Sequence, residues 1–182
     1  KKAMNLTKTK VSESEPTWSA DGKYIYFSSE RTAPSFPSGG NGRSKVYQMA
    51  LDKYEKPFKI DKVNALFAEK EKKEKKEDKK DKKDIKEKKK ETITVSINEK
   101  GLMQRLTAIS PRFGNQGNIT VIKDGAKTHV LYISNHDQGR NKLWKTTIEP
   151  FENNKTVKLS DKPMFGYGFV TSGKKHYILS RG

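Results

Sequence analysis

The stretch PTWSADGKYIYFSSER, residues 16–31, decides the fold. Trp18 supplies an apolar anchor, Asp21-Gly22 a turn, and residues 23–29 a run of aromatic and aliphatic side chains that closes on two serines. An Asp-Gly pair between two apolar runs signals a β-hairpin, because a type I′ turn needs positive φ at both central residues and this pair tolerates it. The phrase returns twice, as TVIKDGAKTHVLYIS (120–134) and FVTSGKKHYILS (169–180). Laid on one another, the copies align Trp18 with Val121 and Phe169, and the turns Asp21-Gly22, Asp124-Gly125 and Ser172-Gly173. Ser28, Ser134 and Ser180 close the strand in each. One hairpin recurring along the chain marks a repeat array.

Working outward, further strands are expected at 3–7, 45–51, 92–97 and 142–148, with an outer strand in 149–160 after the turn residues Asn153-Asn154. Residues 54–62 read as an extended edge, and the Pro- and Gly-rich stretch 31–43 as a surface insertion or, alternatively, a ligand-contacting loop. Ser134 and Ser180 are 46 positions apart, close to the ~40–45 residues of a four-stranded propeller blade. The fold class expected is therefore all-β: a partial β-propeller of four-stranded antiparallel blades, two and a half of them, interrupted by a charged linker. Its divisions are a blade segment at 1–67, the Lys/Glu-rich linker at 68–91 and blade segments at 92–182. Trp18, Tyr24, Tyr26, Val46, Tyr47, Val121, Leu131, Ile133, Trp144, Phe169, Tyr177 and Leu179 are the side chains expected in the core. Because a propeller closes only with roughly four to eight blades, the chain reads as a piece of a larger protein.

Composition limits what such a chain does. Only 31% of its 182 residues are hydrophobic and its formal charge is +17. Residues 69–91 are Lys, Glu and Asp apart from Ile85, and their 13 lysines against 9 acids carry only +4 of that charge. A segment with so little apolar surface has little to bury, and reads as a solvated linker or a lone charged helix. The remaining basic excess is spread along the chain rather than gathered with aromatics on one face, so no nucleic-acid partner is expected. There is no cysteine, which excludes disulfides and thiolate metal sites. No apolar run is long enough to span a bilayer, and no membrane partner is expected.

No stretch carries catalytic spacing. The histidines are His129, His136 and His176, and neither a zinc-peptidase helix motif, a nucleophile elbow nor a phosphate-cradling glycine loop occurs. Ser134, His136 and Asp137 are too close along one strand and turn to converge as a triad. The serines that close the hairpin strands read instead as turn formers whose hydroxyls bind backbone N–H groups. Site residues are accordingly expected to be none, whether catalytic, cofactor-binding or metal-ligating, and no cofactor is expected.

The phrase EPTWSADGKYIYFSSER followed by KVYQMAL resembles the propeller repeat of TolB and of the tricorn-protease propellers. A Lys/Glu-rich insertion, then a strand and the phrase Gly101-Leu102-Met103-Gln104-Arg105-Leu106, is similar to the tricorn-like serine peptidases, as is the closing FGYGFVTSGKKHYILSRG. This resemblance implies a non-catalytic propeller segment that shapes peptide access to a serine-peptidase domain outside the chain. The alternative is a TolB-like protein-interaction propeller with no enzyme attached. Implied partners are peptide or protein substrates of the parent, its remaining blades and catalytic domain, and further copies in a homo-oligomer. A periplasmic setting is slightly favoured over a cytoplasmic one. The Lys and Arg excess leads to the expectation that the rims prefer acidic peptides or free C-terminal carboxylates.

Overall fold

The computed structural model describes residues 5–31, 43–54, 93–137, 139–173 and 175–180. Those residues form an all-β structure of two four-stranded antiparallel sheets and one two-stranded sheet. The first sheet runs β1 (Glu13–Trp18), β2 (Tyr24–Ser29), β3 (Lys45–Ala50), β4 (Leu106–Ala108); the second runs β5 (Gln116–Asp124), β6 (Lys127–Ser134), β7 (Lys142–Ile148), β8 (Lys155–Lys158). β9 (Tyr167–Ser172) and β10 (Lys175–Ser180) form the third. The expected insertion at 31–43, the extended edge at 54–62 and the charged linker lie wholly or mostly outside the described residues.

The two larger sheets repeat each other pair by pair. Glu13 and Lys45 flank Ser29 across the first sheet as Gln116 and Lys142 flank Ser134 across the second. A β-bulge falls between Ser14 and Thr17 in β1 and between Gly117 and Thr120 in β5, with Glu15 (φ 56°) and Asn118 (φ 55°) both left-handed at the same place within it. Beyond the fourth strand, Ile109 N–H donates to Val46 C=O at 3.0 Å, as Leu159 N–H does to Leu143 C=O at 2.9 Å. The chain then crosses to the next sheet, where Gln116 N–H reaches Ser44 C=O and Met164 N–H reaches Asn141 C=O.

This register corrects two readings of the sequence. Ser134 matches Ser29 rather than Ser28, and Ser180 pairs with Tyr167 at a level that corresponds to Tyr132, so the three closing serines are not equivalent. The first turn is not a two-residue type I′ turn. Ser19 opens a five-residue loop in which Gly22 N–H returns to Ser19 C=O and only Gly22 takes positive φ. Ser19 Oγ donates to Asp21 (2.6 Å) and accepts the N–H groups of Lys23 and Tyr24, which explains the Ser-x-Asp-Gly spelling. In the second hairpin the turn residues are Gly125-Ala126, one place later than expected, with glycine at the first central position.

Packing follows from alternation along each strand. One face of the first sheet (Ile25, Phe27, Tyr47, Met49) is closed by Leu51, Leu102 and Leu6. The opposite face (Tyr26, Val46) meets Val130 and Tyr132 of the second sheet. The far face of that sheet (Leu131, Ile133, Leu143) meets Met164 and Tyr167, at the third. Each sheet thus stacks on the next in chain order. At roughly 1.5–3 kcal/mol for each large apolar side chain fully buried, these two inter-sheet cores are what the sheets contribute to one another.

Of the expected core, Tyr26, Val46, Tyr47, Leu131 and Ile133 are buried, and Tyr24, Val121, Trp144 and Phe169 partly so. Trp18, Tyr177 and Leu179 are exposed. Trp18 ends an edge strand with one neighbour. The register of β9 and β10 puts Tyr177 and Leu179 opposite Val170 and Gly168, on the face turned away from the second sheet.

Two expected strands are absent. Residues 5–7 form no strand, and 3–4 lie outside the described residues. Residues 93–97 form none either, despite their alternation, and 92 lies outside the described residues; among the described residues no strand pairs with them, and Ile93, Val95 and Ile97 are exposed. The fourth strand of the first sheet is instead Leu106–Ala108, which follows a short 3-10 helix at Leu102–Arg105. Leu102 enters the core while Arg105 donates to the carbonyls of Ala50, Lys100, Leu51 and Asn98, setting Leu106 against Met49. The first sheet is therefore completed from the far side of the charged block.

Candidate functional site: the cleft at the strand ends

All three sheets bring the same end to one place: the starts of β1, β5 and β9, the ends of β2 and β6, and the starts of β3 and β7. The residues of the two bulges line an open cleft there of about 280 Å³. Its walls carry Ser14, Glu15, Ser44, Asn115, Asn118 and Asn141. Phe165 stands at its margin, 91% exposed.

The cleft is organised from the second sheet. Gln116 is buried and fully engaged: its amide nitrogen donates to Pro111 and Phe113 C=O, and its amide oxygen accepts from Val46 N–H and Ser110 Oγ. Its backbone carbonyl accepts from Ser28 Oγ (2.9 Å) and Ser44 Oγ (2.6 Å), which ties the two sheets at the cleft floor. Asn115 Oδ1 accepts from Ser44, and Asn135 Oδ1 from Asn115 N–H. Glu15 folds its carboxylate over Gly117 and accepts Asn118 N–H at 2.5 Å. Tyr167 Oη donates to Asn118 C=O, and burial pushes that phenol up to about 12.

Around the cleft, three basic groups are spoken for. Arg31 lies 2.5 Å from Glu13 and over the Tyr47 ring (5.2 Å). Lys45 Nζ donates to Gly114 C=O, and burial holds its pKa below the usual lysine range. Lys142 Nζ is 3.6 Å from Asp137.

The structure brings Ser134 and His136 closer than the sequence suggested: Ser134 Oγ and His136 Nδ1 are 2.7 Å apart. That hydroxyl is fully buried, however, and also accepts His136 N–H, as Ser29 Oγ accepts Arg31 N–H in the first sheet. Asp137 faces Lys142. The imidazole lies 4.1 Å from the Trp144 ring, in the place Arg31 takes over Tyr47. The arrangement is a strand-closing turn shared by both sheets, with its oxygen out of reach of a substrate carbonyl. Among the described residues no group of three or more His, Asp or Glu is placed to hold a metal ion.

Sequence reasoning did not single out Glu15, Asn115, Asn118 or Asn141. The repeated bulge is what sets Glu15 and Asn118 at one cleft. Comparison of the chain with family models, with curated proteins and with solved structures gives no match.

Proposed function

We propose that this chain is a non-catalytic β-propeller segment of a tricorn-like serine peptidase, its strand-end cleft lying on the path by which peptides reach a catalytic domain outside it. One observation carries the reading: two sheets of the same four-strand order, register and bulge, each stacked on the next in chain order, with a third hairpin following in the same manner. A unit that cannot bury both faces alone and stacks on its neighbours is the physics of a repeat array. The cleft supports a binding role, since it offers amides, hydroxyls and one carboxylate while the Ser134 hydroxyl is buried. The Gly101 to Leu106 phrase weighs for a peptidase parent over a TolB-like interaction propeller.

The test is turnover. The purified chain, offered peptide and ester substrates, is expected to hydrolyse none while binding short peptides. Hydrolysis that Ser134→Ala or His136→Ala abolishes would replace this reading with a local catalytic site.

A further inference from the structure

We infer that the strand-end cleft selects a primary ammonium group, so that the segment favours peptides with a free amine over acidic ones. This rests on the peptide-access reading above. The chain as a whole is strongly basic, at +17, yet among the described residues the cleft wall holds one carboxylate, Glu15, and neither lysine nor arginine. Three cations around it are engaged elsewhere, Arg31 by Glu13, Lys142 by Asp137 and Lys45 by the Gly114 carbonyl, while Arg43 and Arg140, next along the chain from Ser44 and Asn141, are exposed. Glu15 differs. Its recorded partner is the neutral Asn118 N–H, and among the described residues no cation pairs with it. Among the described residues its negative charge is left without an ion-pair partner at the wall of an open polar cleft.

Size and chemistry agree with a small cationic head group. About 280 Å³ lies just under the ~300–1,000 Å³ typical of small-molecule pockets. An ammonium needs acceptors on several sides; the Glu15 carboxylate and the side-chain oxygens of Ser14, Asn118 and Asn141 supply them. A carboxylate ligand would instead meet Glu15 as a like charge.

Calorimetry on the full chain at low salt, with three probes, tests this. Tetra-alanine amide with a free amine is expected to bind, and N-acetylation to weaken it about tenfold or more. An N-acetyl peptide with one internal lysine identifies the source: affinity equal to the free amine assigns the site to side-chain ammonium as well, and weaker affinity assigns it to the peptide N-terminus. Glu15→Gln, which keeps an acceptor for Asn118 N–H, should reproduce the acetylation loss with an unchanged circular dichroism spectrum. Asn141→Asp should tighten the amine probe. Binding indifferent to both acetylation and Glu15→Gln, or tighter for an acidic acetylated peptide, overturns this inference and leaves peptide access standing. No binding by any probe overturns both.

Discussion

The first and second sheets share a skeleton and differ in what fills it. Where the first has Phe27, Met49 and Leu106, the second has Tyr132, Thr146 and Thr156 at the corresponding positions. The hydroxyls of the latter three form a buried chain, at 2.8 and 2.9 Å. Where the first sets Arg31 over Tyr47 and against Glu13, the second sets His136 over Trp144, with the neutral Gln116 in place of the acid. The backbone devices are kept: the bulge, the hydroxyl that caps the closing turn, and the lysine opening the third strand. Those positions are dictated by hydrogen-bond geometry, which leaves few solutions, whereas a core position asks only that volume be filled and polar atoms be paired.

The join between the sheets is where a substitution should do most damage. A Cβ on Gly114 would lie 2.6 Å from His136 N and from Asn135 Oδ1, at φ +80°. Gly114→Ala is expected to cost roughly 3 kcal/mol or more, read as a large loss in chemical denaturation. Gly125→Ala, with positive φ but open space around it, should cost only about 1–2 kcal/mol. Equal costs would show that the 111–115 loop is not wedged beneath the 135–136 turn.

The hydroxyl chain offers a finer comparison. Thr146→Ala strands the buried Tyr132 phenol and should cost about 1–3 kcal/mol; Tyr132→Phe with Thr146→Val, which brings the second sheet closer to the apolar first, should recover most of it. A double variant as weak as the single one would mean that packing, not pairing, sets the cost.

The smallest effect separates the two turns by pH. Burial, aided by Lys45 and opposed by Asp137, lowers His136 below its ordinary 6.5, and burial with Lys145 lowers His129 likewise. Below about pH 6.5 the unfolded chain takes protons that the folded one resists, so this contribution is fully present above that pH and is lost as pH falls toward the folded pKa. His136→Gln should flatten that part of the melting-temperature profile between pH 7 and 5, and Arg31→Gln should not. A profile unchanged by His136→Gln would contradict the assignment.

Much of the fold was legible in advance, because period-2 alternation and turn chemistry are local. Strands β2, β3, β6, β7 and β8 sit where the pattern of Tyr24–Ser29 and its copies puts them. The misses share a cause in pairing that the sequence does not display. Residues 93–97 alternate like a strand but pair with no strand among the described residues, while Leu106–Ala108 is short and finds Met49 through Arg105. The serine alignment slipped because bulges and loop lengths shift register without changing composition. The cleft was illegible for a related reason: Glu15 and Asn118 are 103 positions apart and meet only through stacked bulges.

The central claim is that two equivalent four-stranded sheets stack and protect one another while the third hairpin is covered on one face. Amide hydrogen exchange by strand tests it most directly. The account predicts that β2, β3, β6 and β7 exchange slowest and open together, with β10 far faster. Slow exchange confined to one of the two larger sheets, or β10 protected as well as β6, would contradict it.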